Sequence, residues 1–285
     1  MSIGRVGHMG AVAVAAVAVV TLIFEAWIGP FPVELFRFPL NVLTMALWLL
    51  ALGYLYRNRT TSTTAQLLLS REATYLSLFI LATTGIALGL EFKPSTDAWP
   101  VVIGLLFVLS HTVLVVLRGW RNSNGIRWRF TITHLGLLLA LGAGFWGAPD
   151  REQLRVAATS EPTNEAFTMS GVLRTLPYDI ALADSRIELS ATGSPMLYEA
   201  TIKVEGQNHT LRVNHPYDRT IAEKIYLISF GTTTTGERYA IIEIVREPWQ
   251  WITASGIVML IAGAVLLFAR GPRRKYNDDN QEIKQ

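Results

Sequence analysis

The chain has 285 residues, 51% of them hydrophobic and 16% charged, and it contains no cysteine. That apolar excess puts it outside the range of soluble globular proteins. The lack of thiols excludes disulfides, thiolate metal sites, covalent haem attachment to this chain and thiol-relay chemistry. The net charge of +3 comes from basic residues grouped between apolar runs, a distribution that orients a protein in a membrane and argues against a nucleic-acid surface.

A hydrocarbon core of about 30 Å is crossed by about 20 helical residues. Six stretches approach or reach that length, 9–28, 39–56, 74–90, 99–117, 130–147 and 249–268. Between 149 and 248 lies a polar block with 10 basic and 14 acidic residues. Outside that block, the segments holding Arg5, Arg57, Arg59, Arg71, Arg118, Arg121, Arg127, Arg129, Arg270, Arg273, Arg274, Lys275 and Lys284 carry 13 basic residues, against 2 (Arg37 and Lys93) in the alternate loops. The positive-inside rule therefore places both termini in the cytoplasm and residues 149–248 outside it.

The first stretch, with its lone Arg5, mimics a signal peptide but is expected to stay as an uncleaved span, because cleavage would put the arginine-rich loops on the wrong face. Glu25 and Trp27 at its far end read as interfacial. The connection GPFPVELFRFPLN reads as a tight, aromatic outer turn, and TTSTTAQ after the second span as a polar loop without a motif. In the third span, Gly85 and Gly89 form a small-xxx-small pair read as helix packing.

The fourth and fifth spans each carry a histidine at lipid depth. His111 lies seven residues before Arg118 and His134 five residues after Arg129, roughly 10 Å and 7.5 Å inside the same boundary at the helical rise. On a helical wheel Leu138, Leu141 and Phe145 share the face of His134, whereas Gly136, Ala140 and Gly144 run down the opposite side and can seat another helix. An unpaired ring in hydrocarbon is costly, so each histidine needs a partner. Two readings stand: a hydrogen bond to a neighbour such as Ser110 or Thr133, or ligation of a metal or haem by neutral imidazole. Spacing does not separate haem from another metal, and two ligands are too few for a closed zinc site.

The polar block alternates in short runs separated by turn residues such as Glu205-Gly206-Gln207-Asn208 and Thr235-Gly236-Glu237, which predicts about seven antiparallel strands in a sandwich or barrel. Tyr198, Ala200, Ile202 and Val204 should share one face. Asp179, Asp184, His209, His215 and Asp218 form no recognisable hydrolytic or metal pattern, and no GxSxG, HExxH or phosphate loop occurs. The fold expected is a polytopic α-helical membrane protein of about six transmembrane helices with one extracytoplasmic β-sandwich-like domain. Its parts are a five-helix region over 1–148, the β-domain over 149–248, a final span over 249–269 and a cytoplasmic tail over 270–285.

The order THLGLLLALGAGFWG, then ALADSRIELSATGSPMLYEATIKV, LRVNHP and KIYLISF, then VREPWQWITASGIVMLIAGAVLLF resembles the ResB (CcsB-like) family of system II cytochrome c biogenesis, over roughly residues 127–268. The most specific pieces are His134-Leu135-Gly136, Asn214-His215-Pro216 before a strand with Tyr226, and Glu247-Pro248. The chain would be a short, divergent member, with Gly29-Pro30-Phe31-Pro32 where the family often shows Gly-Thr and Pro-Gln. The resemblance implies a non-catalytic or co-catalytic subunit of a haem-attachment complex, transient haem b, and a CcsA-like tryptophan-rich membrane partner. It also implies apocytochrome c as acceptor and His134 as a haem axial ligand, with His111 a weaker candidate supported by depth alone. The alternative is a membrane-anchored β-domain that binds or assembles partners without holding haem.

Overall fold

The computed structural model describes residues 19–90, 96–123, 125–189 and 195–269. The start of the first expected span with Arg5, the loop residue Lys93 and the basic tail 270–285 lie outside these residues. Helix α1 is accordingly described as Val19–Ile28. It is followed by α2 (Leu40–Arg57), α3 (Thr63–Leu68), α4 (Arg71–Gly89), α5 (Trp99–Gly119), α6 (Trp128–Gly147) and α7 (Gln250–Ala269). Five of these helices, α2 and α4 to α7, are long and apolar enough to cross a membrane.

Two compact units are formed, one by the described parts of 1–32, 43–142 and 252–285, the other by 33–42 and 143–251. In the first, local sequence sets the helix starts. Ser62 and Ser70 accept hydrogen bonds from the backbone N–H groups of Ala65 and Ala73 and so cap α3 and α4. The stretch expected as a plain polar loop thus contains a helix, and Ser62 was the signal for it. Helix α5 has no capping side chain of its own; instead the Glu25 carboxylate accepts from Trp99 N at 2.9 Å, which gives that residue a capping role beyond an interfacial position.

Small residues then decide where helices meet. A Cβ on Gly136 of α6 would lie 2.8 Å from both Gly256 O and Leu260 N of α7, so the two backbones touch where side chains are absent. The expected stripe Gly136 and Ala140 therefore seats α7, while Gly144 has open space. Gly85 and Gly89 also face open space, and α4 meets α5 elsewhere, with Ile80 against Gly104. The small-xxx-small pair does not mark that packing, because spacing alone cannot say which face is used.

The second unit holds an antiparallel sheet of β3 (Glu152–Ala158), β4 (Thr163–Thr168), β5 (Leu173–Leu189), β6 (Pro195–Val204), β7 (Gln207–Arg212), β8 (Tyr217–Thr220), β9 (Glu223–Thr232) and β10 (Arg238–Arg246), after a two-residue hairpin β1 (Arg121–Asn122) and β2 (Gly125–Ile126) in the α5–α6 connection. The order is β7-β6-β5-β4-β3-β10-β9-β8. The edge strands approach each other through an Arg212↔His215 bridge, and His209 stacks on Tyr217 at 3.7 Å between ring centroids. The domain is therefore one rolled sheet, the barrel-like of the two arrangements expected. The reason lies in β5, whose first part pairs with β4 and whose later part pairs with β6, joining what a sandwich would divide. Strand β8 was not foreseen, since YDRT has no alternation.

Inward positions alternate as the pleat requires. Ala200, Ile202 and Val204 are buried as expected, together with Leu154, Val156, Leu211, Ile225, Ile242 and Ile244 in a single core. At roughly 1.5–3 kcal/mol for each large aliphatic side chain, this core is the main source of the domain's stability.

Candidate functional site

The histidine helices meet close to the histidines. Leu138 of α6, one turn after His134, packs against a cluster formed by Leu52 of α2 with Val113 and Leu114 of α5, which follow His111. The expected partners Ser110 and Thr133 are engaged elsewhere. Their hydroxyls bond back to Leu106 O and Arg129 O, the capture by the preceding turn to which Ser and Thr in helices are prone.

His111 is 6% exposed, and its Nδ1 lies 2.7 Å from the carbonyl of Leu68, the last residue of α3. Because a carbonyl only accepts, Nδ1 carries the proton and donates. Arg118 donates to the next carbonyl, Leu69 O, at 2.9 Å. Helix α5 thus satisfies carbonyls at the C-terminal end of α3 that have no intrahelical partner.

His134 is half-buried and donates from Nδ1 to Phe130 O in its own helix at 2.9 Å. Phe130 stacks on the imidazole with centroids 4.0 Å apart and planes 25° apart. The phenyl ring is itself wedged against Gly119, where an added Cβ would lie 3.1 Å from Cε2, and has the Arg127 guanidinium 4.9 Å from its centroid. A neutral ring held this way has its tautomer set, and Nε2 presents its lone pair, the arrangement found where a backbone carbonyl orients a metal-binding imidazole. Neither imidazole hydrogen bonds to or stacks on the other among the described residues.

Asp184 and Asp218 of the β-domain serve the sheet. Asp184 pairs with Arg238 at 2.9 Å and Asp218 with Lys224 at 3.6 Å. Asn214 takes a φ of +62°, a left-handed conformation that Asn tolerates, and makes the turn by which Asn214-His215-Pro216 joins β7 to β8. Among the described residues no three His, Cys, Asp or Glu side chains gather as metal ligands.

Two clusters went unforeseen. Buried Glu223 accepts from Tyr178 Oη and Arg246 Nε, both at 2.5 Å, with Arg219 Nη1 at 3.4 Å. Burial and the bond to Glu223 hold the Tyr178 phenol well above its usual pKa. Asp150 accepts from Phe38 N, Asn41 Nδ2 and Trp249 Nε1, each at 2.7 Å. A lone Asn at the start of an apolar run and an Asp after Gly-Ala-Pro were the available signals for the second cluster.

Membrane-length helices combined with one rolled β-domain define a polytopic membrane protein with a folded domain between α6 and α7. Residues 126–241 match the model of the ResB-like family. This stretch, from the start of α6 into β10, is ResB-like, as the resemblance implied, and links the chain to cytochrome c biogenesis at the level of the family. No curated protein matches the chain.

Proposed function

We propose that the chain is a membrane subunit of a system II cytochrome c biogenesis complex, handling haem b on its way across the membrane to apocytochrome c. The observation that carries this reading is His134: it lies inside the ResB-like segment, and its Nδ1–H is donated to Phe130 O, which leaves Nε2 available. The donor set fits haem iron, for which neutral imidazole is a common axial ligand. When bound, haem would supply the porphyrin that is joined to thiols, and a chain with no cysteine leaves those thiols to the acceptor. In this reading His134 binds, Phe130 fixes the plane of the ring and its carbonyl fixes the proton. His111 is the lesser candidate, since its ring already serves the end of α3.

The charge distribution supports an orientation with both termini in the cytoplasm and the β-domain outside, in a bacterial inner membrane. That orientation puts His134 in the cytoplasmic half, on the side of haem entry. A CcsA-like tryptophan-rich membrane protein is the partner in this reading. Co-purification of the two should give a preparation with a Soret band, and a haem-free preparation that still matures cytochrome c would refute the proposal.

A further inference from the structure

The rolled sheet has one end where the chain arrives from α6 and departs into α7. Strand β3 begins at Glu152, soon after Gly147, and β10 ends at Arg246, just before Gln250; the two residues are paired, Glu152↔Arg246. Two turns flank this pair. On one side Thr168 of β4 lies opposite Leu154, so the residues that follow carry the β4–β5 turn past the beginning of β3, and Arg174 reaches Glu152 at 3.9 Å. On the other side Ala222, in the β8–β9 turn, accepts from Glu247 N at 2.7 Å.

Both turns expose large apolar side chains. Ile221 is 80% exposed and Met169 56%, with Phe167, Val172 and Leu173 exposed beside Met169. From Phe167 to Leu173 there is no charged residue. At the far ends of the same strands the connections read Thr-Ser-Glu-Pro (159–162) and Thr-Thr-Thr-Gly-Glu (233–237), polar as turns in water are. Among the described residues the larger cluster of exposed apolar side chains therefore lies at the end where the chain arrives from α6 and departs into α7, whereas the β7–β8 connection exposes Val213, and a cluster of exposed apolar groups marks an interaction surface. The β4–β5 turn also satisfies part of its own backbone: Gly171, with φ +81°, donates to Thr168 O, Thr168 donates to Val172 O, and Val172 donates to the Thr168 hydroxyl. Each backbone group paired in this way lowers the cost of a loop leaving water. Arg151 and Arg174, with side chains half-exposed, flank it and are ion-paired with Glu247 at 2.9 Å and Glu152 at 3.9 Å.

We propose that the β4–β5 hairpin and the β8–β9 turn insert into the headgroup–acyl boundary of the bilayer that holds this chain, so that the β-domain rests on the membrane by three attachments: the α6/α7 junction and two apolar turns. The occupant is lipid, because the helices on either side of this end have membrane length. The proposal is independent of haem.

The cysteine-free sequence permits the test directly. Met169→Cys, Ile221→Cys and, at the far end, Thr234→Cys would each carry a nitroxide on the full chain in phosphatidylcholine/phosphatidylglycerol nanodiscs. Collision with oxygen, which concentrates in lipid, is compared with collision with a water-soluble nickel chelate. The expected result is a several-fold higher oxygen-to-nickel ratio at 169 and 221 than at 234. Equal ratios at all three sites would overturn the proposal, and labels at 169 and 221 closed to both reagents would overturn it in favour of a protein-covered face.

Discussion

The indole N–H of Trp249 donates to the carboxylate of Asp150 at 2.7 Å, tying the entrance of α7 to the exit of α6 across 99 positions of sequence. The same carboxylate receives Phe38 N and Asn41 Nδ2, and Asn41 is fully buried, so one acidic side chain gathers the ends of three helices in the second unit.

Replacing Asp150 with Ala removes the acceptor from three donors at once. Hydrogen bonds to charged groups contribute about 1.5–3 kcal/mol each, and some donors will find water. Asp150→Ala should therefore cost about 3 kcal/mol and lower the melting temperature of the detergent-solubilised protein by roughly 6–12 °C. Asp150→Asn, which keeps an acceptor oxygen, should fall between. An unchanged melting temperature in both would show that the node contributes nothing.

Glu223 predicts a pH response. The Tyr178 phenol has its pKa raised by burial and by the bond to Glu223, so in alkali the folded state keeps a proton that the unfolded state releases. Its contribution is complete below the unfolded tyrosine pKa of about 10 and fades as pH rises from there toward the raised value. Urea unfolding of the β-domain followed between pH 8 and 11 should show stability falling above about pH 10, and Tyr178→Phe should flatten that fall. Glu223→Leu leaves Arg246 and Arg219 without their buried counter-charge and should cost about 3–5 kcal/mol at neutral pH.

At the α6–α7 contact, Gly256→Val forces a side chain against Gly136 O, which would lie 2.7 Å from even the first added carbon. Overpacking of this kind costs about 1–3 kcal/mol. Gly144→Ala on α6 meets nothing within 4 Å and should be neutral. Protease resistance and melting temperature of the two variants in detergent distinguish them; equal behaviour would contradict the packing described.

Much of this architecture could be read from residue order. Five helices and most strands follow from apolar length and from alternation, and the Gly136–Ala140 stripe announced a helix contact, though not that α7 fills it. What could not be read is what depends on distant pairing. Glu223 looks like any polar residue at a strand start until the rolled sheet brings Tyr178 and Arg246 to it. Asp150 reads as a helix stop, and its three donors come from residues about a hundred positions away. For the candidate site, both histidines were visible as polar rings at lipid depth, but their partners were misread: hydroxyls looked near in sequence, while the rings bond to backbone carbonyls, one of them on α3.

That difference separates the two rings. His111→Leu removes the donor to Leu68 O and should destabilise the protein by about 1–3 kcal/mol, the penalty of an orphaned buried carbonyl, without abolishing haem binding. His111→Gln, which keeps an N–H donor, should recover part of the loss. Loss of haem with unaltered stability in both variants would instead make His111 a ligand.

The central claim rests on His134, and its most direct test is the visible absorption spectrum of the full chain purified with a CcsA-like partner, as wild type and as His134→Ala. A Soret band in the wild type that is lost or strongly reduced in His134→Ala, together with failure of cytochrome c maturation in cells carrying the variant, is the predicted result. Full haem occupancy in His134→Ala with maturation intact would contradict it.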